Sequence, residues 1–185
     1  MNIKQRLRLA LLKEGAHKAN RFGCVMVFLD VDKKEWKNLQ DILEDDDLYL
    51  PKDETGYGKE NDPHVTILFG LHDDIPDADI EKEINKIKTP TIKFSKISTF
   101  ELKEYDVLKF DVDSDDLHKL NKKFIEFPHT TDFPDYHPHC TIAYVKKGTG
   151  AKYIRKMKDM IDLKIKPSKI VYSKADDTEK SYKLK

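Results

Sequence analysis

One order of elements occurs twice along the chain: a strand, a helix, a loop, a strand opening on Pro-His-x-Thr, a second helix and a closing strand. The two Pro-His-x-Thr strands read Pro63-His64-Val65-Thr66-Ile67-Leu68-Phe69 and Pro138-His139-Cys140-Thr141-Ile142-Ala143-Tyr144. The joints between first strand and first helix also rhyme, Phe28-Leu29-Asp30-Val31-Asp32 against Phe110-Asp111-Val112-Asp113. A duplicated unit with one reactive pair per copy predicts two lobes facing each other across a pseudo-twofold axis. The expected layout is one domain over 1–185: an N-terminal helix and connector (1–20), a first lobe (21–102) and a second (103–185).

Side chains two apart on a strand share a face. His64 therefore shares a face with Thr66, and His139 with Thr141, while Val65, Ile67, Cys140 and Ile142 point the other way. The triplet alone has little specificity in a chain with 7 histidines. A third match, Pro128-His129-Thr130-Thr131, runs into Asp132-Phe133-Pro134-Asp135 and reads as a turn, because proline cannot donate to a ladder. The apolar strands opening on His64 and His139 set those two apart.

The 185 residues are ample for one core. A content of 38% hydrophobic and 37% charged residues suits a soluble globular domain. Lys plus Arg and Asp plus Glu number 34 each, so the total charge gives no general attraction to long duplex nucleic acid. Cys24 and Cys140 lie inside apolar runs and read as buried free thiols in a reducing, cytoplasmic setting. No apolar run approaches the ~20 residues that cross a bilayer, and Leu9–Leu12 is too short for a signal-peptide core.

Taken in order, Asn2–Glu14 has helical spacing and reads as a surface helix or, less economically, a basic amphipathic arm. Gly23–Asp30 is a continuous apolar strand. Asp32 is placed to cap the helix carrying Trp36, Leu39, Ile42 and Leu43, with Trp36 read as core. Glu44–Asp47 reads as a solvated acidic turn. Leu50–Asp62 is a polar loop leading into His64, and its Tyr57 is a candidate for stacking on a base. A helix over about 77–88 comes next, then one or two strands over Thr91–Leu102. In the second copy come a strand at Val107–Val112, a helix from Asp113-Ser114 onward, and a loop holding Pro128, Pro134 and Pro138. After the His139 strand come a helix over Gly148–Ile161, a strand at Ile165–Ser173 and a short last strand near Tyr182–Leu184. Tyr144, on the face opposite His139 by alternation, reads as core. Lys146 is a candidate phosphate contact or simply a solvated lysine.

Histidine titrates near neutrality, so two imidazoles flanking one centre can divide acid–base work, each contributing about 10²–10⁴-fold. Threonine hydroxyls beside them can bond the non-bridging oxygens of a phosphate as their charge grows. Nothing in that scheme needs a metal or another cofactor.

The paired strands resemble the twin His-x-Thr/Ser signatures of the 2H phosphoesterase superfamily, which includes 2′-5′ RNA ligase-like proteins and cyclic nucleotide phosphodiesterases. The resemblance covers roughly Gly23–Ser173. It implies an α+β fold of two antiparallel-type sheets around a central cleft with helices outside. By resemblance His64 and His139 are the acid–base pair and Thr66 and Thr141 the phosphate-holding hydroxyls. The implied activity is a metal-independent phosphodiesterase acting on a 2′,3′-cyclic phosphate, a 2′-5′ linkage or a cyclic oligonucleotide messenger. The Tyr136-His137-Pro138-His139 approach is similar to phage members, for which host defence signals would be the substrate and the host cytoplasm the setting. Two alternatives stay open: a module that binds a nucleotide or RNA end without cleaving it, and a metal site built from the two histidines and a carboxylate. The sequence leaves open which histidine is acid and which base.

Overall fold

The computed structural model describes residues 22–52, 56–133, 135–176 and 178–184. The helix expected over Asn2–Glu14 lies outside them. Seven strands are described: β1 (Gly23–Val31), β2 (His64–Leu71), β3 (Lys93–Glu101), β4 (Tyr105–Asp113), β5 (His139–Lys146), β6 (Ile165–Ser173) and β7 (Glu179–Lys183). Four helices accompany them: α1 (Lys33–Gln40), α2 (Asp77–Ile84), α3 (Asp115–Phe124) and α4 (Gly150–Met157). The expected α+β class is the one found.

Helix starts obey local chemistry. Asp32 accepts from the Lys34 and Glu35 amides at 2.9 Å each, and Ser114 accepts from the Leu117 amide at 3.1 Å. Each cap satisfies amides that a helix start leaves unpaired. The helices then bury Trp36 and Leu39, Ile80 and Ile84, Leu117 and Phe124, and Tyr153 and Met157. All eight join one core with Val25, Val27, Val65, Ile67, Phe110, Cys140 and Ile142 of the strands. Those strand residues share one face, so the helices cover a single side of the sheet. On the other side Cys24, Met26 and Val171 form a smaller cluster with Phe28 and Phe69. Burial on both faces explains why β1 is apolar throughout.

The strands form one antiparallel sheet in the order β3-β4-β5-β2-β1-β6-β7. The half-sheets β3-β4-β5 and β2-β1-β6-β7 join edge to edge, through the single registered pair Val65↔Cys140 of β2 and β5. The strand that closes each sequence repeat sits in the other half: β3 pairs with β4, and β6 pairs with β1. Each half-sheet thus draws on both 21–102 and 103–185. Burial favours the exchange, since β6 covers the open edge of β1 with Ile170 and Tyr172 in the shared core.

Beyond Val65↔Cys140 the two central strands part, and the segment before β2 fills the gap. Tyr49 N–H donates to the Tyr144 carbonyl (3.0 Å), Tyr144 N–H to Gly58 (2.8 Å) and Glu60 N–H to Ile142 (2.9 Å). Trp36 Nε1–H holds that segment from behind by donating to the Glu60 carbonyl at 2.9 Å. Trp36 is core, as expected, and also fixes the approach to His64.

The third histidine triplet lies at the far end of β2. His129 bridges Leu71, and the Thr130 amide donates to the Gly70 carbonyl at 2.9 Å. Gly70 has φ 110°, and a Cβ there would stand 1.9 Å from the Thr130 carbonyl oxygen. Gly70→Ala is expected to lower the free energy of unfolding by about 1–3 kcal/mol, measured by urea denaturation. An unchanged midpoint would show that the 128–130 segment is not held against β2.

Candidate active site

The registered pair Val65↔Cys140 centres the site. His64 and Thr66 flank Val65, and His139 and Thr141 flank Cys140, so this one pair brings the two triplets side by side. The next strands out repeat the relation. Phe28 pairs with His64 and Met26 with Thr66 in the first half, while Asp111 pairs with His139 and Lys109 with Thr141 in the second. All of these positions lie on the face away from the helices.

Both His-x-Thr strands carry a register slip just past the threonine. Val25 faces Leu68 while Met26 faces Thr66, and Leu108 faces Ala143 while Lys109 faces Thr141. Ile67 and Ile142 are the extra residues, and a bulge of this kind re-aims the side chains beyond it. Tyr144 is therefore turned to the same face as His139, opposite to what simple alternation implies. It is buried there in an aromatic cluster with Tyr105, Val107, Tyr49 and Tyr57.

The rings are held alike. His64 Nδ1 lies 2.8 Å from the Asp62 carbonyl, and His139 Nδ1 lies 2.8 Å from the His137 carbonyl. A carbonyl only accepts, so each Nδ1 carries a proton and donates it. That leaves Nε2 of each ring as the nitrogen that can accept or give a proton. His64 is buried and stacks on Phe28 at 5.6 Å between centroids. His139 is half-buried, with the Phe100 ring edge-on at 4.9 Å. Thr141 is buried, and Thr66 is anchored through its carbonyl, which accepts from Tyr136 Oη at 2.9 Å.

The two halves differ in charge. Where the first has Met26, the second has Lys109, only 4% exposed. Its Nζ bonds Asp111 and Ser98 Oγ and lies 4.1 Å above the Phe100 ring. Burial works to raise the Asp111 pKa, but the bonds from Lys109 and Ser98 outweigh it and hold the carboxyl below its usual range. Burial pushes His139 down to about 4; the charges of Lys109 and His64 act the same way, and the bond to His137 and the Asp111 carboxylate pull against them. At neutral pH the His139 ring is therefore unprotonated. Burial also raises the Cys140 thiol, which leaves it an unreactive core residue.

The structure places the segments His64–Thr66 and His139–Thr141 on neighbouring strands, joined at Val65↔Cys140. It places Tyr57 one layer away, edge-on to Tyr49, Tyr105 and Tyr144 at 5.0, 5.3 and 5.2 Å. Lys146 is exposed and faces Tyr105 in the register. It stands five strand residues past Thr141, roughly 16 Å at the usual rise, so it does not meet the histidines. Among the described residues no three His, Cys, Asp or Glu side chains converge as ligands for a metal ion. Sequence reasoning passed over Lys109, Asp111, Phe28, Phe100 and Tyr136. Lys109 and Asp111 alone carried a signal, as two charges on one face of an apolar strand.

This architecture is that of a known class of α+β proteins. Usb1 from Kluyveromyces marxianus has it: one solved structure matches with a TM-score of 0.56 and another, with uridine monophosphate, with 0.53. Each is 8% identical, and each match covers 90% of this chain and 99% of Usb1. No curated protein sequence matches the chain. The family profile of the anti-CBASS protein Acb1 matches residues 36–178, and the chain belongs to that family.

Proposed function

We propose that this protein is a metal-independent phosphodiesterase of the 2H type, and that its substrate is a cyclic oligonucleotide. The observation that carries the reading is the pair Val65↔Cys140, which sets the two His-x-Thr triplets side by side, with Nδ1 of each histidine held by a backbone carbonyl and Nε2 left for proton transfer. A phosphate over that pair meets two proton-transfer groups and two hydroxyls at once.

His139, held neutral, accepts the proton of the attacking oxygen. His64 gives a proton to the leaving oxygen. Thr66 and Thr141 donate to the non-bridging oxygens, whose charge increases as the pentacoordinate arrangement forms. The proton balance closes within the pair, since one ring gains what the other loses. A second turnover needs only proton exchange with water.

Membership of an anti-CBASS family supports the choice of substrate: such a protein would degrade the cyclic nucleotide signal of a host defence, acting for a phage in the host cytoplasm. The complex of Usb1 with uridine monophosphate is consistent with a nucleotide in this fold.

The test is a panel of cyclic dinucleotides, cyclic trinucleotides, 2′-5′ oligoadenylate and nucleoside 2′,3′-cyclic phosphates, incubated in EDTA and read by mass spectrometry. A linear product from a cyclic oligonucleotide, formed undiminished in chelator, is the expected result. No turnover of any of them, or activity lost with chelator, would overturn the reading.

A further inference from the structure

We propose that Lys169 and the groove it borders bind a second phosphate of an oligonucleotide substrate, on the His64 side of the cleft. The proposal rests on the two-histidine phosphodiesterase reading and adds where the rest of the substrate lies.

The groove, of ≈ 620 Å³, reaches Pro63, the residue before His64, and is lined by Phe28, Lys59 and Lys169, with the carboxylates Asp30, Asp41 and Asp62 also on its wall. Pro63 precedes His64, and Phe28 is both its strand partner and its stacking partner. Lys169 pairs with Phe28 from the other side and sets its Nζ 4.9 Å from the Phe28 ring centroid. His64, Phe28 and Lys169 thus form one row across β2, β1 and β6. Two strand spacings separate the ends of that row, roughly 10 Å, and the long lysine stem shortens the gap.

Charge pairing and position set this lysine apart. Lys33, which also lines the groove, has no carboxylate partner among the described residues either, but it is exposed at the start of α1 and not in the row with His64. Lys37 and Lys59, which also line the groove, pair with Asp41 and Asp45. Lys96 faces Asp111 on β3 and β4, as Lys169 faces Phe28 on β6 and β1, and pairs with the Asp111 carboxylate at 3.5 Å. Lys109 is taken up by Asp111 and Ser98. Among the described residues no carboxylate pairs with Lys169, and Phe28 presents only a ring face to it. A partly buried ammonium on an aromatic face retains donors for an incoming anion. The opposite side of the cleft is filled by Phe100 and the tyrosine cluster. An oligonucleotide with one phosphate at the histidines therefore extends towards β6.

Binding of two probes tests this, the dinucleotide pApA with two phosphates and AMP with one, by calorimetry at several salt concentrations. Lys169→Gln is expected to weaken pApA about tenfold, the value of one charge-assisted hydrogen bond, and AMP less than about twofold. The salt slope for pApA should fall by about 0.7, one phosphate contact fewer on a single strand. Lys169→Arg should restore both, which separates a lost contact from a disturbed fold. Equal weakening of the two probes, or none, overturns the proposal while the two-histidine reading stands. If the unaltered protein binds neither probe, that reading fails and takes this proposal with it.

Discussion

His64→Ala and His139→Ala are each expected to lower kcat by about 10²–10⁴-fold while nucleotide affinity changes by less than about tenfold. In the proposed scheme each imidazole moves a proton only as bonds to phosphorus change, so its loss falls on the transition state rather than on ground-state binding. The combined variant should be little worse than the poorer single one, because residues that act as a unit are not additive. Gln at either position is the companion substitution, keeping bulk beside Phe28 or Phe100 without a group that titrates near neutrality. Single-turnover rates on a cyclic oligonucleotide, with binding measured separately, provide the check. A module that merely holds a nucleotide would show the reverse pattern, with binding lost alongside the histidines. Retained turnover in both variants would remove the two-histidine scheme.

Much of the candidate site's local layout was readable from residue order because strand periodicity is short and local. His64 with Thr66 and His139 with Thr141 share faces by alternation alone, and the apolar run after each triplet marks a strand. The caps at Asp32 and Ser114 and the spacing of Trp36, Leu39, Leu117 and Phe124 located their helices for the same reason. What escaped depends on long-range pairing. Nothing near Ile165–Ser173 signals that β6 joins β1, because that choice is set by which exposed edge buries Ile170 and Tyr172. The slips at Ile67 and Ile142 were equally silent, since neither strand has a glycine at its bulge, and they reversed the side to which Tyr144 turns. The charge difference between the halves emerged only when Lys109 and Met26 were seen at matching positions. A lysine in an apolar strand reads as a solvent-facing residue until Asp111, Ser98 and Phe100 are found around it.

That difference makes the two histidines unequal, and the inequality can be measured. His139 is faced by Lys109 and Asp111 from β4 and by His64 from β2, with Lys96 of β3 acting through Asp111. With its pKa near 4, the neutral form is present above that value and is lost as pH falls through it. With His139 as the base of the proposed scheme, the acid limb of kcat/KM is therefore expected near pH 4 rather than near 6.5, the ordinary value for histidine. Lys109→Met, which copies Met26 of the other half, removes a repelling cation and leaves the Asp111 carboxylate beside the ring. Both changes favour imidazolium, so the limb moves up towards 6.5 and activity at mildly acid pH falls. Adding Asp111→Asn to that variant removes the attracting carboxylate and brings the limb back down. A packing defect alone would not reverse sign between the two variants, and NMR titration of the His139 ring tracks the same shifts without depending on turnover. Identical limbs for the single and the double variant would show that the Lys109–Asp111 pair does not set the protonation of His139.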